Sequence, residues 1–509
     1  MKHRTIKRRN VVIGIGAAAG AAATGGLALP AQASTGRAPD KASGALTFDK
    51  EAYTELTTTV STGDGDKKVT YRFWKAVTYV ARPVDEKYQS LNVSAPVAID
   101  GKAVDASDSP ILFANSVGGY MPSSVSDAAG VGGGGGGMPG GGALNSNQLL
   151  ALAAGYVVVE PGARGRTLKD DDGTYYGTAP AAIVDLKAAV RYVRANKGRI
   201  PGDTDRIVSA GTSAGGALSA LLGASGDSGL YAAYLAELGA ADASDAIFAT
   251  GAWCPIADLE HADGAYEWNW GANKLSGGEQ VDQATSKQLR AQFAEYQASL
   301  RLRRRDGRGL LTARNYDDYL LTQYLQPSAT RYLRALSDGD RASYLADNEF
   351  ITWQGGRATF TWEDFLAHVG ARKKDTPAFD PFDLSSPENN EFGAGTAEAR
   401  HFTAYGARHD TSGTGGGRVA SDIPEKLDLM NPMYHLARRN PGRSKHWWIR
   451  LGTKDSDTSL TVSANIAASA AGLGDEVDHL YYWDEGHGAN TDPADFIAWI
   501  AEVTGHKKH

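Results

Sequence analysis

Six short apolar runs that do not alternate with polar residues constrain this chain most: Pro110–Ala114, Tyr156–Glu160, Arg206–Ala210, Ala246–Thr250, Trp447–Leu451 and Val477–Tyr482. A strand with one wet face alternates, whereas a strand that is apolar throughout is buried on both faces, so the runs predict a mostly parallel sheet covered by helices. Between them, Ala181–Asn196 places Ile183, Leu186, Val190 and Val193 at helical spacing behind Pro180, which suits a helix start. Ala217–Leu222 and Phe496–Val503 read the same way. Upstream, from Asp40 to Asp108, polar and apolar residues alternate around Lys68–Trp74 and Val77–Val80, which predicts an antiparallel meander. The rhythm stops between Asp258 and Ile423. That stretch of about 165 residues has no run of sheet-like strands and carries charged helical patterns at Ser286–Arg304 and Tyr316–Leu336. It is too long for a structureless loop and predicts an inserted lid domain. The expected division is therefore 40–257 and 424–509 as two parts of one α/β domain, with 258–423 as the insertion.

The first 33 residues stand apart. Lys2, Arg4, Lys7, Arg8 and Arg9 precede a weakly apolar run, Val11–Leu29, that closes on Ala31-Gln32-Ala33. This is the plan of an export signal cleaved after Ala33, and the Arg8-Arg9 pair ahead of a glycine-rich segment points to the twin-arginine route, which carries folded proteins. The run is too diluted by glycine and alanine to favour a membrane anchor. Loss of those five cations would take the formal charge from −7 to −12. The expectation is a secreted, acidic, soluble protein with no membrane association after processing, and the absence of a basic stripe argues against a nucleic-acid partner. One cysteine, Cys254, permits no internal disulfide and reads as core packing after an apolar strand. Nine glycines among the twelve residues Val131–Gly142 read as a mobile loop.

The chemistry begins where Arg206–Ala210 runs into Gly211-Thr212-Ser213-Ala214-Gly215. A serine on a tight strand-to-helix turn is held above the sheet edge, flanked by glycines and backed by a helix N-terminus, so Ser213 is the candidate nucleophile. It needs a base and an orienting acid, which in this architecture follow in the order acid, then histidine. Trp447–Leu451 ends in Gly452-Thr-Lys-Asp455-Ser-Asp457, and the next strand is followed by Asp484-Glu-Gly-His487-Gly, so Asp455 and His487 are the candidates. The oxyanion donors expected are the amide of Ala214 and one from Asn115-Ser-Val-Gly118-Gly119-Tyr120, with Gly118 and Gly119 both open. No H-E-x-x-H or Cys/His ligand spacing occurs, so neither a metal nor a cofactor is expected.

Four phrases taken together carry a family resemblance: Asn115–Met121, Gly211–Gly226, Phe379–Asn389 and Gly452–Thr458. They resemble the bacterial tannases, the subtype B tannin acyl hydrolases, over nearly the whole chain from about residue 50 onward. The resemblance implies an α/β-hydrolase fold with a large lid, acting on galloyl esters and depsides, with Ser213, Asp455 and His487 as triad. It also implies that Asp457, Lys374 and Glu388 bind the phenolic hydroxyls of the galloyl ring, although Lys373 is adjacent and either lysine can turn inward. Three neighbouring hydroxyls can donate to two carboxylates and accept from an ammonium, and a ring without them would leave those charges unpaired. The partner expected is thus a small polyphenol ester. The alternatives are a feruloyl or other aryl carboxylesterase and a non-catalytic binding protein of the same fold.

Overall fold

The computed structural model describes residues 46–134, 145–414 and 416–506. The expected export signal, 1–33, and the glycine tract from Gly135 onward lie outside these residues. Twelve strands are present among the described residues: β1 (Thr54–Thr62), β2 (Gly65–Thr78), β3 (Ser90–Ile99), β4 (Lys102–Ala103), β5 (Ile111–Ala114), β6 (Val157–Pro161), β7 (Ile207–Thr212), β8 (Ala249–Trp253), β9 (Thr352–Gln354), β10 (Arg357–Thr359), β11 (His446–Gly452) and β12 (Glu476–Tyr482). Ten of them make one sheet in the order β1-β2-β3-β6-β5-β7-β8-β11-β12, with β4 on β3. The pairs from β6 through β12 are parallel, and β1, β2, β3 and β6 pair antiparallel. The non-alternating runs are the parallel strands, and every residue of β5, β6, β7 and β8 is buried. Burying each large apolar side chain there stabilises the fold by about 1.5–3 kcal/mol.

Two local readings differ from the structure. Lys68–Trp74 and Val77–Val80 belong mostly to one strand, β2, whose register shifts between Trp74 and Val77. Ala76 supplies the bulge with φ 51°, its amide donating to Asn92 Oδ1 at 2.7 Å. Strand β8 starts three residues later than the Ala246–Thr250 run, because Ala249–Trp253 is the stretch that pairs with β7 on one side and β11 on the other. Two-sided pairing overrides the weak strand propensity of Gly251.

The principal helices ahead of the insertion are α1 (Asn145–Ala153), α2 (Ala181–Ala195) and α3 (Ala214–Ser225). Within 258–423 lie α4 (Leu259–Trp270), α5 (Gln283–Leu300), α6 (Gln326–Ala335), α7 (Asp338–Asp347), α8 (Trp362–Val369) and α9 (Pro387–Glu391), and after it α10 (Leu460–Gly472) and α11 (Pro493–Thr504). Helix α1 packs on α11, and α3 packs on α2. Helix α4 packs on α5 and on α10, which joins the inserted stretch to the layer beside β11 and β12. The inserted stretch also holds a feature that its periodicity does not reveal, the antiparallel hairpin β9–β10. No helix among the described residues is long and apolar enough to cross a membrane.

Candidate active site

Ser213 sits between β7 and α3 with φ 62° and ψ −122°, a conformation costly for any residue with a side chain. The turn can close this tightly because its neighbours lack side chains. A Cβ on Gly215 would meet Asn115 Oδ1 at 2.6 Å, and one on Gly216 would meet the Trp253 carbonyl at 2.2 Å. Asn115 Nδ2 donates to the carbonyls of Ala210 and Gly215, both at 3.1 Å, so the end of β5 clamps the turn.

The loops after β11 and β12 are laced together. Thr453 N donates to Tyr482 O and Lys454 N to Glu485 O, each at 2.9 Å, and a Cβ on Gly452 would strike the Glu485 carbonyl at 2.2 Å. This brings His487 between Ser213 and Asp455: Nε2 is 2.9 Å from Ser213 Oγ and Nδ1 is 2.8 Å from Asp455 Oδ2. Asp455 is fully buried, and its other oxygen accepts the Asp457 amide at 2.9 Å. Three residues before the histidine, Asp484 is an anchor. It pairs with His368 Nε2 at 2.5 Å, Lys454 Nζ at 3.0 Å and the Tyr344 hydroxyl. Burial works against its charge, yet these bonds hold the Asp484 carboxyl down at about 2.

Cys254 is buried, as expected of core packing, but its place is at the site. Its sulfur, the Asp455 carboxylate and the His487 ring offer atoms all within 4.8 Å of one another, the one such potential metal-ligand group among the described residues. Burial alone would lower the His487 pKa; hydrogen bonds to Asp455 and Cys254 outweigh it and raise it. The Cys254 thiol is itself pushed up by burial, with His487 acting against the shift.

The amides of Ala214, Gly118 and Gly119 donate to no protein acceptor among the described residues. The loop bearing the glycines is fixed from three sides: Gly215 N donates to Val117 O at 2.9 Å, the Tyr120 hydroxyl to Ile256 O at 2.9 Å, and Arg166 Nε to Gly119 O at 2.8 Å.

On the inserted side, Lys374 Nζ lies 3.6 Å from Glu388 Oε1 and 3.6 Å from the centre of the Phe379 ring. Lys373, not Lys374, takes Asp457, at 2.7 Å. Glu388 is largely buried on α9, whose first turn is capped by Ser386 Oγ, and Glu388 Oε2 has no partner among the described residues. One turn on, both oxygens of Glu391 are likewise unpartnered, and burial drives its carboxyl well above the usual carboxylate range. Tyr266 on α4 ties the two sides together. Its hydroxyl donates to Ser456 O at 2.8 Å and accepts the Lys374 amide at 3.1 Å. Nothing in the local sequence around Tyr266 or Arg166 marks either residue, and the apolar strand ahead of Cys254 marks it only as core.

The BD-FAE family matches residues 142–293. No curated protein matches the chain. Among solved structures, a tannin acyl hydrolase in complex with 3,4-dihydroxybenzoate is 35% identical, covering 91% of this chain and 99% of its own, with TM-score 0.78. The tannin acyl hydrolase from Lactobacillus plantarum is 35% identical over 91% of this chain and 99% of its own, with TM-score 0.77. The Fusobacterium nucleatum tannase is 35% identical over 90% and 99%, with TM-score 0.76.

Proposed function

The chain belongs to the tannin acyl hydrolases, carboxylic ester hydrolases of the α/β-hydrolase fold, and from that premise we propose that it releases gallate from galloyl esters and depsides by a Ser213–His487–Asp455 triad. The observation that carries the reading is the continuous run of contacts from Ser213 Oγ through His487 to the buried Asp455, at 2.9 and 2.8 Å. His487 takes the Ser213 proton as the oxygen attacks the ester carbonyl, and Asp455 holds the imidazole and offsets its charge. The amides of Ala214 and of Gly118 or Gly119 receive the oxyanion. His487 then returns the proton to the leaving alcohol, and water hydrolyses the galloyl-enzyme by the same route.

Ring recognition falls to Asp457, Glu388 and Lys374. Relatives hold ethyl gallate and 3,4-dihydroxybenzoate, phenols with adjacent hydroxyls, and the open lone pairs of Glu388 Oε2 fit a hydroxyl donor. Lys373, more than half exposed, would exchange Asp457 for a ring hydroxyl at the rim. The leader 1–33 would send the enzyme out of the cell by the twin-arginine route, leaving a mature chain that starts at Ser34.

Rates on methyl gallate and methyl ferulate test the substrate: preference for ferulate would replace the galloyl reading with the feruloyl one. Ser213→Ala should abolish methyl gallate hydrolysis and labelling by a fluorophosphonate probe. Retained hydrolysis would remove Ser213 as nucleophile, and an unlabelled wild type would point to a binding protein.

A further inference from the structure

Contacts run from the chemistry to the ring-binding residues by two separate routes. The first goes through the acid loop, from Asp455 to Asp457, then Lys373, Lys374 and Glu388. The second goes the other way round, through a residue with no role assigned so far. Arg166 follows β6, and its backbone is pinned to the oxyanion loop, its amide donating to Tyr120 O at 2.9 Å. The preceding Gly165 lies so close to that loop that a Cβ would fall 2.3 Å from Met121 C and Pro122 N. The guanidinium then divides. Nε donates to Gly119 O at 2.8 Å, and Nη1 donates to Asn390 Oδ1 at 2.9 Å, between Glu388 and Glu391 on α9. The Asn390 side chain is oriented for this by its Nδ2, which donates to Glu398 O at 3.4 Å.

One planar, rigid group thus touches both the loop proposed to stabilise the oxyanion and the helix proposed to hold the ring. A galloyl ester is equally rigid, since its carbonyl is conjugated to the ring and the distance from carbonyl to ring hydroxyls cannot adjust. We propose that Arg166 is a positioning residue that sets the separation between the oxyanion amides and the ring-hydroxyl ligands, matching the enzyme to a flat hydroxylated aromatic acyl group. This rests on the galloyl reading above. An ammonium cannot replace it, because a lysine presents a single point of donation on a flexible stem and lacks the fixed fork.

The test is a double-mutant cycle on Arg166 and Asn390, with methyl gallate and 4-nitrophenyl acetate, whose acyl group carries no ring. Asn390→Ala cuts only the far end of the strut. It should lower kcat for methyl gallate about tenfold to a hundredfold with KM little changed, and leave 4-nitrophenyl acetate within about twofold. Arg166→Lys should retain the thermal midpoint but show the same loss on methyl gallate. Adding Asn390→Ala to Arg166→Met should cost nothing further, since both remove one coupling. Equal losses on both esters, a loss confined to KM, or full additivity would overturn the inference. A wild type inert towards methyl gallate would overturn the galloyl reading and this inference with it; an active wild type with an additive cycle overturns this inference alone.

Discussion

At the sheet edge, Ser213, His487 and Asp455 are joined at 2.8 and 2.9 Å, and the loops carrying them are tied by backbone bonds at their bases. On the inserted side, Lys374 stands 3.6 Å from Glu388, one Glu388 oxygen is unpartnered among the described residues, and Asp457 is held by a largely exposed lysine. The contrast matches the roles proposed for the two ends. Proton transfer and attack depend on alignment fixed before the substrate arrives, which the internal bonds among Ser213, His487 and Asp455 would supply. Recognition of hydroxyls depends on lone pairs that remain available, so the other end carries polar atoms whose bonds are incomplete or exchangeable.

The difference can be broken by substitution. Asp455→Asn should lower kcat by about 10⁴-fold on methyl gallate and on 4-nitrophenyl acetate alike, as expected when the imidazole loses its orienting carboxylate. A loss restricted to methyl gallate would mean that the two ends are not separable. Glu388→Gln should reduce kcat/KM for methyl gallate by about 10- to 100-fold while leaving 4-nitrophenyl acetate nearly unchanged; equal losses would remove the ring-binding role. The smallest effect is on pH dependence. His487 must be neutral to accept a proton, and Cys254 helps to keep it protonated. Cys254→Ala should therefore move the acid limb of the kcat/KM profile towards lower pH at little cost to the plateau, and a limb that stays put would leave Cys254 as packing alone.

The meeting of Ser213, His487 and Asp455 was legible in the sequence, because all three lie just past the ends of strands. The runs that become β7 and β11 are buried almost throughout, β12 is a half-exposed edge strand that still carries Leu480, Tyr481 and Tyr482, and Ser213, Asp455 and His487 follow their ends. The group proposed to bind the ring was legible only by resemblance. Glu388 and Lys374 look like surface charges until the chain folds, and the order of two adjacent lysines does not say which meets Asp457. Cys254 read as core because burial and contact with His487 leave the same apolar surroundings in sequence. Arg166, Tyr266 and Asn390 act across separations of dozens to hundreds of residues, which no local period encodes. The hairpin β9–β10 has three-residue strands, too short for alternation to register, though Gly355-Gly356, both at positive φ, was an available turn signal.

The backbone of Ser213 carries a further consequence. At φ 62° and ψ −122° it occupies a conformation natural to glycine, at a cost of about 1–3 kcal/mol for any other residue. Tyr120, Cys254 and Asp484, on the loops around it, also have positive φ. Four of the ten non-glycine residues at positive φ among the described residues thus gather around the proposed nucleophile. A glycine at position 213 would relieve that cost but remove the proposed nucleophile, so the strain and the proposed activity stand or fall together.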